Sequence, residues 1–548
     1  MNLLEYMQNS LFSFLKNQFK IENPEKNINL TLNTDKPQAQ FGDLSTNAAM
    51  VLAKELQKNP REIAQEISKN FINKFIEKTE IAGPGFINFF LTKEAFQELS
   101  TELFEQDKNF FKSENLNKTN YSIEFVSANP TGPLHLGHGR GGIIGDVLGN
   151  ILKFLGYDVT KEFYINDAGV QINKLGESFK ARCLQALGIP AELPEGGYQG
   201  EYLQELAEEL VNEKGDDLKK ESADFFKNYA KDHLLNKIKE TLSEYGIHYD
   251  VWFSEKSLHE SGAIDAAVKD LVKKGHTYEQ DGAIWFKSTE FQDDKDRVLK
   301  KATGEYTYVS PDIAYMKNKI DRGAQKMIMI LGQDHHSYVN RLKGLLEAMG
   351  YNPDMLTVIL YQLVSMKSNG EAVRMSKRAG NIVTLQDVTA TVGKDVARFF
   401  YLNRKADAHL DFDLDLALKK TDENPVYYIQ YAFVRTKSIL EKANQSPELQ
   451  NICSDDAKNI GQEEYGLIKK IISLKHLLEV IGENFQTHLL TYYTIELAQT
   501  FHSYYNQNKV IDLENITKSR ARLLMIHDVK NSLELCLKLM GLNTPEKM

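Results

Sequence analysis

The fold is decided by residues 121–140, which read YSIEFVSANPTGPLHLGHGR. Residues 121–126 have the apolar character of a buried strand, and the proline- and glycine-rich stretch 129–133 predicts a tight turn. An apolar stripe at helical spacing follows and ends at Gly156, and 159–165 then predicts a second strand. Strand, helix and strand in this order form a βαβ unit, which implies a parallel sheet with a right-handed crossover.

A second βαβ pattern lies almost two hundred residues further along the chain. It consists of a strand at 326–331, a helix at 339–349 and a strand at 356–360. Two separated halves of this kind predict a doubly wound, Rossmann-like sheet that is split by an insertion at about 175–300. Inside the insertion, the dipeptide at 281–282, Asp-Gly, predicts a β-hairpin.

The first 110 residues have the pattern of a separate α+β unit. Asn59 and Pro60 fit the cap and the first position of a helix, whose apolar stripe we extend to Phe71 and Phe75. A Gly-Pro-Gly turn then leads into a strand at 86–91.

Strand signals fade from about residue 410, and long helical patterns continue from there. We therefore predict a multidomain α/β protein with a split Rossmann-like parallel-sheet domain between an N-terminal α+β domain and a C-terminal all-helical bundle. The predicted domain boundaries are 1–110, 111–405 and 406–548.

Composition excludes several classes of protein. With 66 basic and 76 acidic residues among 548, the net charge of −10 excludes a strongly basic nucleic-acid coat, although a local basic surface could still bind a nucleic acid. Cys183, Cys453 and Cys536 lie far apart, which fits a reducing cytosol and gives no cysteine-based zinc site. The first residues do not have the pattern of a secretory signal, and no apolar run is long enough to span a membrane.

The sharpest chemical feature is His135-Leu136-Gly137-His138, placed between a predicted strand and a predicted helix. A helix N-terminus offers unpaired N–H groups to phosphate, and two imidazoles there can donate to the charge that develops at an attacked phosphorus. Gly137 lets a nucleotide approach the backbone. Two simply solvated histidines are the alternative, and a zinc site is a weaker one because no third ligand is evident.

The second feature is the basic stretch from Arg374 to Arg378, which includes Met375, Ser376 and Lys377 and follows the last strand of the second βαβ half. A loop with three cations beside a phosphate site can clamp pyrophosphate as it leaves. On its own, such a stretch would more often be exposed surface charge.

Together these two elements resemble the HIGH and KMSKS signatures of class I aminoacyl-tRNA synthetases. The surrounding sequence resembles the arginyl-tRNA synthetases over essentially the whole chain. The stretches that carry this resemblance are 41–47, 83–88, 124–140, 332–336, 424–432 and 541–548.

The resemblance implies that ATP, accompanied by Mg²⁺, and L-arginine form arginyl-adenylate and pyrophosphate, and that the arginyl group then passes to tRNA(Arg). It implies no tightly bound metal, and we expect a cytoplasmic monomer without a membrane partner. The residues expected to bind ATP are His135, Gly137, His138, Arg374, Met375, Ser376 and Lys377, with His135, His138 and Lys377 catalytic. Arg374 replaces the first lysine of KMSKS, which keeps the charge but changes its geometry.

The arginine pocket follows partly from charge, because a guanidinium group needs carboxylates and the α-ammonium group needs acceptors. Glu124 and Asp312 supply such carboxylates. By resemblance, Tyr308 and Asp312 contact the guanidinium group with Glu124 close by. The resemblance also implies that Ser127, Asn129 and Gln333 hold the backbone or side chain of the amino acid.

For tRNA, the resemblance assigns the anticodon to the helical domain, where Tyr431 and Arg435 could stack on bases. A stripe of tyrosines on a helix is more often part of the core. The resemblance also places Phe86 and Asn88 near a base of the tRNA elbow.

Three other functions stay open at this point. One is a different nucleotidyl-transferring enzyme, although such enzymes usually lack two flanking RNA-binding domains. Another is a synthetase-like protein without catalysis, which predicts eroded ATP elements, whereas His135, His138 and Lys377 are present. The third is a synthetase for another amino acid, against which Glu124 and Asp312 favour a cationic substrate.

Overall fold

The computed structural model of the chain describes residues 3–34, 41–113, 118–372 and 383–548. Its N-terminal part is an antiparallel sheet with the strand order β1-β2-β4-β3, flanked by helices. The elements are α1 (Leu3–Phe19), β1 (Leu30–Leu32), β2 (Leu44–Thr46), α2 (Ala48–Leu56), α3 (Pro60–Asn70), β3 (Ile76–Ala82), β4 (Phe86–Leu91) and α4 (Lys93–Gln106).

Helix α3 begins as predicted and ends earlier than predicted. Asn59 caps it by accepting a backbone N–H two residues further on, and Pro60 is its first residue. The extension of the helical stripe to Phe71 and Phe75 was wrong, because Phe71 is extended and the Asn73 side chain accepts the N–H of Phe75 in a turn. Both phenylalanines are nevertheless buried, so the apolar pattern reports burial rather than helix.

The central part is built on five parallel strands in the order β12-β11-β5-β6-β7, which confirms the predicted fold class. Its elements are β5 (Asn120–Phe125), α5 (Leu136–Leu155), β6 (Asp158–Ile165), α6 (Val170–Ala186), α7 (Glu201–Lys214), α8 (Ala223–Glu244), β7 (Val251–Ser254), α9 (Glu255–Glu260), α10 (Ala263–Lys273), β8 (Thr277–Gln280), β9 (Ala283–Phe286), β10 (Arg297–Lys300), α11 (Val309–Asp321), β11 (Lys326–Gly332), α12 (Tyr338–Ala348) and β12 (Leu356–Tyr361).

The stretch predicted as an insertion, 175–300, returns to the central sheet partway along. Strand β7 pairs in parallel with β6 at the sheet edge and divides the stretch into two parts. Before β7, helices α6, α7 and α8 enclose a separate apolar core. After it, β8, β9 and β10 form a small antiparallel sheet, whose predicted hairpin turns at Asp281 and Gly282, both at positive φ.

Helix α5 lies unusually close to the sheet that it crosses. A Cβ atom added at Gly145 would fall 2.3 Å from the ring of Phe125 in β5. Only a residue without a side chain allows this approach, which brings the middle of α5 against the end of β5.

The remaining elements form a small sheet of order β14-β13-β15 and a helical part. They are β13 (Val364–Ser368), β14 (Glu371–Ala372), α13 (Leu385–Val392), α14 (Lys394–Leu402), β15 (Leu410–Asp413), α15 (Leu414–Leu418), α16 (Pro425–Ala443), α17 (Gln462–Asn484), α18 (His488–Gln507) and α19 (Ile516–Leu539). We expected strand signals to fade from about residue 410, but strand β15 begins at Leu410. It forms because Leu410 and Phe412 alternate with exposed aspartates and point inward against β13.

The N-terminal part packs against the helices α17 and α19. The rings of Phe96 and Tyr465 stack with their centroids 3.8 Å apart. Two ion pairs between largely buried side chains join the same surfaces. Asp43 pairs with Lys469 at 2.9 Å, and Lys108 pairs with Glu534 at 3.0 Å. None of the helices in the described ranges is long and apolar enough to cross a membrane.

Candidate active site

The candidate site lies at the carboxyl ends of the parallel strands, where β5 neighbours β11 and the chain direction of the crossovers reverses. Open parallel sheets bind ligands at this switch point. Glu124 stands near the end of β5, Gln333 directly after β11 and Glu255 directly after β7. The predicted site residues of the central domain therefore come from segments that are distant in sequence and adjacent in the sheet.

The two histidines form a compact pair at the N-terminus of α5. His135 is the N-cap residue, and its Nδ1 accepts the backbone N–H of Gly137 at 3.1 Å. The Nδ1 of His138 accepts the backbone N–H of His135, also at 3.1 Å. The two rings stack with their centroids 3.7 Å apart, so the spacing of three residues places both imidazoles side by side.

These hydrogen bonds decide what the pair can offer a ligand. Since each Nδ1 accepts a hydrogen bond, each neutral ring carries its proton on Nε2, which is then free to donate. Burial and the neighbouring His135 lower the pKa of His138 to about 3, and burial also lowers the pKa of His135. Near neutral pH the pair is therefore a neutral double donor beside the positive end of the α5 dipole.

The start of α5 is tied to the chain that follows residue 382. The N–H of Leu136 donates to the carbonyl of Val383, and the N–H of Leu385 donates to that of Leu134. Arg374, Met375, Ser376 and Lys377 lie outside the described residues. Strand β14 precedes the segment that contains them. Val383, whose carbonyl accepts the N–H of Leu136, follows it.

Asp312 is the carboxylate of the pocket that lacks a basic partner within ion-pair distance among the described residues. It lies in the first turn of α11 and accepts a hydrogen bond from the hydroxyl of Tyr338 at 2.7 Å. Burial, together with the nearby Glu124 and Glu255, raises the pKa of Asp312 to about 7. Tyr308, the N-cap residue of the same helix, is 60% exposed and therefore open to a ligand.

Glu124 is close by, as expected, but its charge is already balanced within the protein. Its carboxylate forms a buried ion pair with Lys319 at 2.6 Å and accepts the hydroxyl of Ser127 at 3.1 Å. Ser127 in turn accepts the backbone N–H of Tyr164. The arrangement leaves Asp312, rather than Glu124, as the charge that would gain most from a bound cation.

Asn129 is held on both ends of its amide group. It donates to Gln171 and accepts from Asn166, each at 2.7 Å. Gln333 opens the short turn Gln333–His335 and is partly exposed.

Sequence reasoning missed Glu255, Tyr164, Tyr338 and Lys319. Burial raises the pKa of Glu255, which lies 3.5 Å from His259 and raises the pKa of Asp312. Glu255 could have been found from its position directly after a strand of the sheet. The sequence pattern, however, had placed that strand within the predicted insertion. For Lys319, 195 residues from its partner Glu124, no local signal existed.

The residues proposed for RNA contacts lie on elements outside the central sheet. Tyr431 is 39% exposed on α16, and the guanidinium group of Arg435 lies 4.6 Å from its ring and 5.2 Å from that of Tyr505. In the N-terminal sheet Phe86 is exposed, whereas Asn88 is only 3% exposed. The two residues lie two positions apart and therefore share one face of β4, and their contact with a base of the tRNA elbow stays a prediction.

Three family descriptions match successive parts of the chain. "Arginyl tRNA synthetase N terminal domain" matches residues 5–91, "tRNA synthetases class I (R), catalytic domain" matches 99–405, and "DALR anticodon binding domain" matches 429–548.

Curated relatives and solved structures agree with these matches. The chain is 44% identical to the arginine–tRNA ligase of Anoxybacillus flavithermus over all of both chains. It is 45% identical to that of Bacillus subtilis over 95% of this chain and 94% of the other. The fold matches the arginyl-tRNA synthetases of Thermus thermophilus (TM-score 0.75, 20% identity) and Plasmodium falciparum (TM-score 0.77, 19% identity), in each case over the full length of both chains.

Proposed function

The chain belongs to the arginyl-tRNA synthetase family, and on this premise we propose which of its residues carry out the reaction. The activity is that of an arginine–tRNA ligase, which uses ATP to attach arginine to tRNA(Arg). The carboxylate of arginine attacks the α-phosphorus of ATP, pyrophosphate leaves, and a hydroxyl of the terminal ribose of tRNA then takes the arginyl group from the adenylate.

The histidine pair binds the triphosphate. Its Nε2–H groups and the free N–H groups at the start of α5 donate to phosphate oxygens, and they donate more strongly as negative charge builds up at the α-phosphate. Neutral histidines suit this role, because donors that lose no proton keep their geometry throughout the reaction. The absence of a side chain at Gly137 leaves room for the nucleotide.

Asp312 binds the guanidinium group of arginine, and the observation that supports this role is that its carboxylate has no basic partner within ion-pair distance among the described residues. A half-buried carboxylate whose pKa is raised to about 7 is stabilised most by a cation with two parallel donors. Tyr338 orients Asp312, and Tyr308 contacts the side chain of the substrate from the exposed rim. Glu124 lies close to the guanidinium group, and Ser127, Asn129 and Gln333 hold the backbone or side chain of the amino acid.

Lys377, Arg374, Met375 and Ser376 complete the ATP site, a proposal that rests on the sequence. Val383 is bonded to the histidine segment and is six residues from Lys377. Since six residues span at most about 20 Å, this short separation along the chain supports the proposal. Mg²⁺ would be held by the triphosphate itself, where it neutralises charge.

The tRNA contacts divide between the two outer domains. Tyr431 and Arg435 meet the anticodon, and Phe86 and Asn88 lie near a base of the tRNA elbow. We propose the boundaries 1–110, 111–405 and 406–548 for the three domains, a monomer as the active form and the cytoplasm as its location.

The test is a charging assay of total tRNA with each of the twenty amino acids. We expect incorporation of arginine, and incorporation of lysine at a rate lower by several orders of magnitude. A site that hydrogen-bonds a polar side chain rejects an analogue that leaves those bonds unmade. Comparable charging with lysine would contradict the role given to Asp312.

A further inference from the structure

The turn that joins the arginine pocket to the histidines has little internal support. Pro130 and Pro133 have no N–H group to donate. Between residues 128 and 133, the described backbone hydrogen bonds comprise the single bond from the N–H of Thr131 to the carbonyl of Asn129. The position of this turn must therefore be fixed by contacts from elsewhere.

Those contacts come from the helical insertion and from the segment that leads into it. The hydroxyl of Tyr202 in α7 donates to the carbonyl of Thr131 at 2.6 Å. The amide group of Asn129 is bonded to Gln171 in α6 and to Asn166 just after β6. Three tethers of 2.6 to 2.7 Å thus hold one turn of five residues.

Tyr202 is suited to act as a fixed donor. It packs at the rim of the apolar core shared by α6, α7 and α8, which anchors its ring. Burial raises the pKa of its hydroxyl to about 12, so the group stays protonated. Gly132 adds a close fit, since a Cβ atom there would lie 3.3 Å from the Tyr202 oxygen.

We propose that Tyr202 is a positioning residue for the adenylation step, an inference that rests on the proposed function. Asn129 holds the amino-acid side of the turn, and His135 holds the phosphate side four residues after Thr131. The two reacting groups, a carboxylate and a phosphorus atom, meet between these points. By fixing the carbonyl of Thr131, Tyr202 sets the distance between the two substrates without touching either of them.

The test is Tyr202→Phe, which removes one hydroxyl group and keeps the ring. We expect kcat for ATP–pyrophosphate exchange to fall about tenfold while KM for arginine and KM for ATP each change less than twofold, because misplacement by a fraction of an ångström affects the reaction more than binding. The matched control is Tyr198→Phe. Tyr198 packs on the same core, and its hydroxyl has no hydrogen-bond partner among the described residues. This control should behave as the wild type.

Amide hydrogen exchange of the peptide 129–136 gives a second readout that does not depend on activity. It should accelerate in Tyr202→Phe and stay unchanged in Tyr198→Phe. If Tyr202→Phe does not fold, Gln171→Met serves instead, since it loosens the same turn from an exposed position and should lower kcat in the same way.

Unchanged kcat and unchanged exchange in the turn, a change confined to KM, or equal losses in both tyrosine variants would each overturn the inference. Failure of the wild type to charge arginine would contradict the proposed function, while the exchange readout would still decide whether Tyr202 holds the turn.

Discussion

His138 performs two tasks with the two nitrogens of one ring. Its Nδ1 caps the N–H of His135, and its Nε2 is directed toward the phosphates in the proposed function. We expect His138→Ala to lower the rate of arginyl transfer by roughly 10²-fold or more, as loss of a transition-state donor does. Steady-state aminoacylation measures this effect, and thermal unfolding should show that the fold is nearly intact.

His248→Ala is the matched control, because His248 is exposed and distant in sequence from α5. Wild-type aminoacylation by His138→Ala would mean that the active site is assigned to the wrong place. The pKa of about 3 also predicts that His138 contributes no titration between pH 5 and 8.

Asp312 predicts a specific pH dependence for arginine. Its pKa is raised to about 7, so the free carboxylate takes up a proton as the pH falls through this value, whereas guanidinium keeps its charge. Arginine then loses its ionic partner, and kcat/KM for arginine should fall about tenfold from pH 8 to pH 6, as the ionised fraction does. Initial rates at limiting arginine measure this, with limiting ATP as the comparison.

The variant Asp312→Asn should remove that pH dependence and raise KM for arginine by roughly 10- to 100-fold, the range for a lost charge-assisted pair. KM for ATP should stay nearly constant. Equal increases in both constants would instead identify Asp312 as a structural residue.

At the scale of the elements, we expect replacement of glycine by alanine to have opposite effects on the free energy of unfolding at two sites. One site is the close contact between α5 and the sheet, and the other is an open position in α17. Gly145→Ala places a methyl group against the ring of Phe125 and should lower the free energy of unfolding by about 1–3 kcal/mol. Gly466→Ala, in α17, meets no atom within 4 Å and should raise it by up to about 1 kcal/mol. Denaturant unfolding measures both, and loss of stability in both variants would refute the packing argument.

Elements with local signals could be predicted from the sequence. The cap at Asn59, the hairpin turn at Asp281 and both βαβ units depend on residues that are neighbours in the chain. The histidine pair belongs to the same class, since its geometry follows from a spacing of three residues at a helix start.

Other features depend on the tertiary structure and could not be predicted. Strand β7 has four residues and pairs only because β6 lies beside it. The burial of Asn88 cannot be read from its position in β4, since the exposed Phe86 lies on the same face, and the neutralisation of Glu124 by Lys319 joins two distant segments. The local sequence pattern therefore pointed to Glu124 and Asp312 as carboxylates of the predicted pocket. It did not show that Glu124 is already paired with Lys319.

At the scale of the whole molecule, the distribution of charge limits how the protein can bind tRNA. Residues 406–548 contain 16 basic and 20 acidic residues, so general attraction cannot bring RNA to the helical part. Recognition must use local groups such as Arg435, which lies between the rings of Tyr431 and Tyr505. A cut near residue 405 would test this poorly, because it also removes β15 and the carbonyl of Met540 that the buried Arg398 binds.

Arg435→Ala is the sharper test. We expect the Kd for tRNA(Arg) to rise roughly tenfold, in line with the worth of one stacked base of about 1–3 kcal/mol. Loss of a phosphate contact should also reduce the slope of log K against log salt by about 0.7–0.9. Filter binding at several salt concentrations measures both, with Lys442→Ala, an exposed cation of the same helix, as the control. Equal affinity in wild type and Arg435→Ala would remove this surface from tRNA recognition.

The packing of the N-terminal domain on the helices α17 and α19 can form only late in the synthesis of the chain. Asp43 and Lys469, like Lys108 and Glu534, are 426 residues apart in the chain. At about 5–20 residues per second, a ribosome makes the second member of each pair roughly 20–85 s after the first. Phe96, fully buried in the finished protein, is made 369 residues before Tyr465, so for roughly 18–74 s no Tyr465 covers it. Its face of the nascent chain therefore stays uncovered until α17 has been made.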